Sequence, residues 1–161
     1  MRTYIILMYT FCIINIHIMS IIIPKQLYIG NVINVNRLQW LNQHNINTII
    51  CVASSKDVTI SKEVRACKKV YQFDIMDNEN QTLDFEPIIQ LIEKSLEYGA
   101  VLVNCAVGMS RSPTFVIAYL MKTKKISLIQ AYNIVKNARP KINQNRYFME
   151  QLEIYQKELS D

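Results

Sequence analysis

The segment that most constrains this chain is an apolar run, Val101–Val103, that leads into Cys105 and then into Arg111. The run predicts a buried strand, and Pro113 suits the first turn of a following helix, where a missing N–H costs nothing. The five residues between the cysteine and the arginine can turn their backbone N–H groups inward as an anion nest. A helix beginning at Ser112 would direct its positive end at the same point. The spacing therefore predicts a phosphate-sized cradle with a nucleophile at its floor.

Each residue type in this loop suits that chemistry. The nest and the helix end favour the thiolate of Cys105, and Arg111 can offer two parallel N–H donors to phosphate oxygens. Gly108 permits a tight turn, and Ser112 is close enough to hydrogen-bond the sulfur and help it leave. The phosphate-binding residues would be Ala106, Val107, Gly108, Met109, Ser110 and Arg111. An accidental match around a structural cysteine is the alternative, which the flanking strand and helix make unfavourable.

The pattern resembles the signature of the cysteine-dependent protein tyrosine phosphatases. The small dual-specificity branch fits best, because Ser110-Arg111-Ser112 follows Gly108-Met109 in a short chain. The resemblance covers about residues 20–159 and includes Pro24–Asn31, Ala118–Met121, Arg139–Ile142, Asn145, Phe148, Gln151 and Leu152. It implies an α/β fold in which a mainly parallel central sheet is flanked by helices on both faces. It also implies removal of phosphate from phosphotyrosine and phosphoserine/threonine of proteins through a cysteinyl-phosphate, without a cofactor.

One position departs from that family. The family usually has His immediately before the cysteine, whereas this chain has Asn104. An amide can donate a hydrogen bond but carries no charge. We therefore expect weaker local support for the thiolate and lower activity, with the fold unchanged.

A phosphate ester also needs a proton for its leaving oxygen, and a carboxylic acid on a loop would supply it. Residues 71–76 predict a buried strand, and Asp77 stands where that strand gives way to a polar loop. The family's acid occupies this position, typically as Asp-Asn. Asp77 is therefore the expected general acid, with Asp74 as the alternative. An ordinary turn residue would also explain Asp77.

Two other functions use a similar loop. Branches that act on RNA 5′-phosphates or phosphoinositides usually have Asn-Arg-Thr or extra lysines there. Here Ala106, Val107 and Met109 are uncharged and Ser110 precedes Arg111, which favours protein substrates. A non-catalytic phosphoresidue-binding module usually lacks the cysteine or the arginine, and only Asn104 argues for it.

Length and cysteine content suit one intracellular domain. A chain of 161 residues that is 50% hydrophobic can bury a full core. The cysteines show no paired spacing, and a reactive thiolate needs a reducing compartment, which predicts the cytoplasm. Cys51 lies in an apolar run and is expected in the core, whereas Cys67 could form a disulfide with an oxidised Cys105. His17 and His44 lack ligand spacing, so no metal site is expected.

Short apolar strands alternate with helical patterns along the chain. This alternation predicts a mainly parallel sheet covered on both faces, with ligands bound beyond the carboxyl ends of the strands. Residues 21–30 contain the first strand. The predicted strands are Leu27–Ile29, Asn47–Val52, Val70–Ile75 and Val101–Val103, and the predicted helices are Val35–Asn45, Phe85–Tyr98, Ser112–Lys122, Ser127–Asn137 and Arg146–Leu159.

The amino-terminal region divides the chain into residues 1–18, a hydrophobic extension, and residues 19–161, the catalytic domain. No charged residue lies between Tyr4 and Ile23, but the stretch outside the domain is too short and too interrupted for stable membrane insertion. Two interpretations stay open. Residues 1–18 form a helix that packs on their own or a neighbouring domain, or Met19 is the natural start and the residues before it do not belong to the protein.

Charge and composition indicate partners. The net charge of +5 favours anionic phosphoproteins, although a simple solvated surface explains it equally well, and no motif supports nucleic-acid binding. The short chain and its extension resemble the small dual-specificity phosphatases of poxviruses, and a composition rich in Ile and Asn suits an AT-rich genome. That resemblance implies viral or host signalling proteins as substrates, a homodimer formed through the extension, and association with virions.

Overall fold

One five-stranded sheet organises the part of the chain that the computed structural model describes, residues 19–160. The predicted extension, residues 1–18, lies outside the described residues. The spatial order is β1-β2-β5-β3-β4, with all neighbours parallel except β1 and β2, which are antiparallel. The strands are β1 (Ser20–Ile23), β2 (Leu27–Gly30), β3 (Ile46–Cys51), β4 (Lys69–Gln72) and β5 (Ala100–Asn104).

The antiparallel edge strand β1 follows from a tight turn. Lys25 takes a left-handed conformation with φ of 61°, and the N–H of Gln26 donates to the carbonyl of Ile23 at 3.0 Å. Antiparallel strands can be joined so closely, whereas parallel strands need a crossover of a dozen or more residues. The predicted mainly parallel α/β sheet is confirmed, and β1 is a separate strand that the sequence did not distinguish from β2.

Strand β5 lies in the middle of the sheet and is covered on both faces. All of its residues are buried, as are those of the neighbouring strand β2. Continuous apolar strands of this kind need helices on either side of the sheet. The helices are α1 (Val32–Val35), α2 (Leu38–Gln43), α3 (Lys62–Cys67), α4 (Phe85–Leu96), α5 (Arg111–Lys124), α6 (Leu128–Ala138) and α7 (Arg146–Glu158).

Side chains at the helix starts fix several of these boundaries. Ser127 and Gln130 form a capping box at the start of α6, and Asn145 accepts from the N–H of Phe148 at 2.9 Å at the start of α7. Such caps satisfy N–H groups that have no partner inside the helix. Among residues 19–160, no helix has the length and apolar character needed to cross a bilayer.

The prediction and the structure differ in three elements. The predicted helix Val35–Asn45 is interrupted at residues 36 and 37: Val35 is the last residue of α1, and α2 begins at Leu38. The Asn36 side chain at this break donates to the Thr59 carbonyl and accepts from the Ser61 N–H. Helix α3 was not predicted, since a single capped turn and a half carries little periodicity. The predicted strand Val70–Ile75 ends at Gln72, and beyond it the chain turns into the loop that carries Asp77.

Candidate active site

The candidate site lies where β5 ends and α5 begins, at the carboxyl edge of the parallel strands. The loop that starts at Cys105 connects them, and Ser110 caps α5 through its carbonyl, which accepts from the N–H of Thr114 at 3.1 Å. The helix therefore begins one residue earlier than predicted, at Arg111. Its amino-terminal end faces the loop, where it favours bound anions.

The scaffold binds the outer side of this loop. Four consecutive loop carbonyls accept hydrogen bonds from other elements, and this arrangement turns the carbonyl groups away from the interior of the loop. The donors are Val32 N to Ala106 O (3.0 Å), Arg139 Nη2 to Val107 O (3.2 Å), Arg139 Nε to Gly108 O (2.5 Å) and Asn143 N to Met109 O (2.8 Å). Because each peptide group points its N–H opposite to its carbonyl, the loop N–H groups are left for the inner side.

Gly108 is required by this geometry. Its φ is +73°, and a Cβ there would lie 2.6 Å from the carbonyl oxygen of Gly30 and 2.7 Å from Nη2 of Arg139. A left-handed conformation and such close approach are tolerated only without a side chain. The sequence prediction that this glycine allows a tight turn is thus supported by two separate constraints.

Two donors point at the sulfur of Cys105, whose residue is 2% exposed. The N–H of Gly108 donates to Sγ at 3.2 Å and the hydroxyl of Ser112 donates at 3.4 Å. Both groups are donors, so a negatively charged sulfur would accept a hydrogen bond from each of them. The predicted proximity of Ser112 to the sulfur is present in the structure.

The guanidinium of Arg111 is buried and bound on one side. Its Nη1 donates to Oδ2 of Asp57 at 2.6 Å and to the carbonyl of Ile75 at 2.9 Å. Its Nε is buried without a hydrogen-bond partner among the described residues, and the nearest carboxylate oxygen, Oδ2 of Asp77, is 3.8 Å away. An unpaired buried donor at an anion-binding loop is a position where a phosphate oxygen would be favoured.

Asp77 lies against the same loop. Its Oδ1 accepts from the hydroxyl of Ser110 at 2.8 Å and from Nδ2 of Asn145 at 2.7 Å, while the side chain stays 35% exposed. Two hydrogen bonds therefore fix the carboxylate against the loop, and Oδ2 faces Nε of Arg111 at 3.8 Å. Asp74, the alternative acid, is exposed, and no hydrogen bond or ion pair links it to the loop in the described region.

The side chain of Asn104 lies behind the loop. It is fully buried, and its Nδ2 donates to Sγ of Cys51 at 3.5 Å, while its Oδ1 has no partner within residues 19–160. The amide faces the sulfur of Cys51, and no hydrogen bond joins it to the Cys105 sulfur in the described region. Weaker local support for the nucleophile and lower activity stay predictions. Burial raises the pKa of the Cys51 thiol to about 11, which agrees with its predicted place in the core.

Two residues of the site have no role in the sequence prediction. Asp57, which pairs with Arg111, precedes it by more than fifty positions in a polar stretch without any motif. Arg139, which binds two loop carbonyls, is noted in the sequence only as part of the family pattern. Its burial lowers the pKa of the guanidinium. The sequence signal that could have drawn attention to Arg139 is a single arginine, followed by Pro140, at the end of a predicted helix.

The other predicted features lie apart from the loop. Cys67 is free and exposed at the end of α3, and His44 stacks on Trp40 with ring centroids 3.5 Å apart. Within residues 19–160, no three histidine, cysteine or acidic side chains converge as metal ligands. His17 lies outside the described residues.

A parallel sheet that ends in an anion-binding loop, with a cysteine at the loop's floor, defines the class of protein. The family model "Dual specificity phosphatase, catalytic domain" matches residues 27–158. The chain therefore belongs to the dual specificity phosphatase family.

Individual relatives agree with this assignment. The chain is 34% identical over 144 residues to dual specificity protein phosphatase 1 of Arabidopsis thaliana, covering 86% of this chain and 69% of the relative. It is 34% identical over 140 residues to dual specificity protein phosphatase 18 of Homo sapiens, covering 85% of this chain and 72% of the relative. The crystal structure of the human tyrosine phosphatase-like serine/threonine/tyrosine-interacting protein superposes with a TM-score of 0.82 at 30% identity, covering 89% of this chain and 98% of that one. Three other relatives are longer, and the chain spans 34%, 29% and 16% of them.

Proposed function

We propose that the chain removes phosphate from phosphotyrosine and phosphoserine/threonine of proteins, with Cys105 as nucleophile. Membership of the dual specificity phosphatase family makes it a cysteine-dependent protein phosphatase. The observation that carries the residue assignment is the pair of donors on the Cys105 sulfur, inside a loop with four consecutive carbonyls bound by other elements.

In the first step, the Cys105 thiolate attacks phosphorus in line with the ester bond. The P–S bond forms and the P–O bond to the leaving group breaks. Arg111 and the loop N–H groups bind the three non-bridging oxygens as their charge is redistributed. Asp77 gives its proton to the leaving oxygen, for which its position at the entrance of the loop is suited.

In the second step, water attacks the cysteinyl-phosphate. The Asp77 carboxylate takes a proton from that water, the P–S bond breaks, and inorganic phosphate leaves. The Ser112 hydroxyl, which donates to Sγ at 3.4 Å, stabilises the thiolate as it is released. The same acid thus serves as acid and then as base.

The surface around the loop supports a protein substrate. Val107 at the rim is 57% exposed and apolar, and Ala106 and Met109 add no charge. Recognition of an RNA 5′-phosphate or a phosphoinositide headgroup would favour further cations beside the phosphate. A phosphorylated side chain in a peptide carries its charge on a single phosphate. The loop can bind that phosphate, and an apolar rim suits the rest of the side chain.

Hydrolysis of p-nitrophenyl phosphate by the full chain tests the assignment. Cys105→Ser should abolish turnover, and Asp77→Asn should lower kcat by about 10²–10⁴-fold and remove the fall of rate at high pH. Asp74→Asn is the matched control and should keep the wild-type profile. Wild type without turnover that still binds a phosphopeptide would instead indicate a phosphoresidue-binding module.

The cellular setting is part of the same proposal. A thiolate nucleophile works in a reducing compartment, which supports the cytoplasm. A homodimer formed through residues 1–18, and viral or host signalling proteins as substrates, stay predictions from the poxvirus resemblance. Sedimentation of the full chain beside a chain that begins at Met19 tests the dimer, since only the full chain should form it.

A further inference from the structure

The outer nitrogen of the Arg111 guanidinium is bound by two acceptors that belong to different loops. Nη1 donates to Oδ2 of Asp57 at 2.6 Å and to the carbonyl oxygen of Ile75 at 2.9 Å. The Nε atom has no hydrogen-bond partner among the described residues, although it is buried. Nη1 is therefore held by two hydrogen bonds, whereas Nε makes only a longer ionic contact, 3.8 Å, with Oδ2 of Asp77.

The geometry of guanidinium explains why this division matters. Arginine recognises a phosphate with two parallel N–H groups on one edge, and Nε shares such an edge with Nη2. Nη1 does not belong to this edge. A carboxylate on Nη1 therefore leaves the bidentate edge open and stops the planar group from rotating out of register with the loop.

The scaffold places Asp57 for this contact. A turn closes over residues 54–58, where the N–H groups of Asp57 and Val58 both donate to the carbonyl of Ser54, at 3.1 and 3.0 Å. The Val58 side chain is buried in the core, and its carbonyl accepts from Nε2 of Gln72 at 2.9 Å. The Asp57 side chain thus extends from a fixed turn, so the contact requires little additional ordering of its backbone.

The charge of Asp57 does not prevent phosphate binding. Its side chain is 42% exposed, so water and salt screen its repulsion of a phosphate dianion. Arg111 is buried, and without Asp57 only the Ile75 carbonyl would hold Nη1 before the substrate binds, so the substrate would have to order more of the side chain. The affinity for phosphate therefore gains more from the ordering of Arg111 than it loses through repulsion by Asp57.

We propose that Asp57 is a positioning residue that orients Arg111 for bidentate binding of the phosphate group. It does not touch the phosphate and acts only through Nη1. The proposal rests on the proposed function in naming phosphate as the ligand, and it assigns to Asp57 a share of the oxyanion affinity of this site.

Binding of sodium tungstate, a tetrahedral oxyanion, measured by isothermal titration calorimetry on the full chain, tests the proposal without requiring turnover. Asp57→Ala should weaken tungstate binding about tenfold, the size expected for one hydrogen bond to a charged group. Asp57→Asn keeps an acceptor oxygen and should stay within about threefold of wild type. Glu63→Ala, an exposed acid at the start of α3, removes the same charge nearby and should leave the affinity unchanged.

Kinetics on p-nitrophenyl phosphate should show the same order, with Asp57→Ala raising KM more than it lowers kcat. Equal or tighter tungstate binding by Asp57→Ala would overturn the proposal, because Asp57 would then compete with the anion. Asp57→Asn as weak as Asp57→Ala would overturn it too, since charge and not the acceptor would matter. Tungstate binding that follows the proposed order in a protein without turnover would support the positioning role while refuting the proposed function.

Discussion

Replacement of Gly108 by alanine separates the shape of the loop from its chemistry, because no reacting group is removed. A non-glycine residue at φ of +73° costs about 1–2 kcal/mol in strain alone. The new Cβ would also lie 2.6 Å from the Gly30 carbonyl oxygen, where ordinary contact begins at 3.4 Å, so the loop must move by the difference of 0.8 Å. Misplacement of catalytic groups by about 1 Å can cost about 10²-fold in rate.

The expected result for Gly108→Ala is therefore a fall in kcat of about 10²-fold with the fold retained. The strain should lower Tm by roughly 2–8 °C in a domain of this size. Steady-state hydrolysis of p-nitrophenyl phosphate and thermal unfolding followed by circular dichroism measure the two effects. Tungstate affinity should fall as well, since the loop N–H groups move with the backbone.

Gly99→Ala is the matched control, since Gly99 also has a positive φ, +133°, and a Cβ there would lie 2.4 Å from Nδ2 of Asn47. It precedes β5 at the end opposite to Cys105, so its strain should lower Tm without changing kcat. The reasoning would be refuted if Gly108→Ala kept kcat within about threefold of wild type, or if Gly99→Ala lost as much activity.

Three further measurements test other parts of the structure. Arg139→Met should leave two loop carbonyls without their donors and lower kcat by about 10²-fold. Arg139→Lys should not restore kcat, because one ammonium group cannot reproduce the planar pair of donors of a guanidinium. Hydrogen bonds from Lys122 and Tyr155 lower the pKa of Glu86, so its stabilisation is present above the pKa of an unfolded glutamate and is lost as pH falls through the lower folded value. Glu86→Gln should accordingly lower Tm by less than about 4 °C at pH 7, and thermal unfolding across pH should show the difference shrinking as pH falls below the unfolded glutamate value of about 4.3. Cys51, whose pKa burial raises to about 11, should resist iodoacetamide at pH 8 in the native protein and react after unfolding, as peptide mass spectrometry would show.

The parts of the site that are local in sequence could be predicted, since spacing alone places them. Cys105, Arg111 and Ser112 lie within one strand–loop–helix unit, and the apolar run before it fixes where that unit sits in the sheet. The alternation of apolar strands with helical patterns likewise predicts the parallel strands. Asp77 could be placed only through the family pattern, because its contacts are with Ser110 and the distant Asn145.

The parts that depend on tertiary contacts could not be predicted. Nothing near Asp57 in the sequence indicates that its turn would bring a carboxylate to Nη1 of Arg111. The separate strand β1 and the break at Asn36 arise from single backbone conformations and side-chain bonds that leave no periodic signal. Local patterns therefore located Cys105 and the loop that follows it, whereas the residues that hold this loop and Arg111 in place became visible only in the fold.

Asn104 stands where the family usually has histidine, and it affects the contacts behind the loop while the donors on the Cys105 sulfur are all present. Its amide donates to Cys51, whereas the Cys105 sulfur receives its donors from the Gly108 N–H and the Ser112 hydroxyl. Neither donor depends on residue 104, because one is a backbone N–H and the other lies in the first turn of α5. Anion recognition by backbone N–H groups tolerates side-chain changes that leave the backbone in place. The structure thus favours a working nucleophile over a binding module, because both donors on the Cys105 sulfur are present with asparagine at position 104.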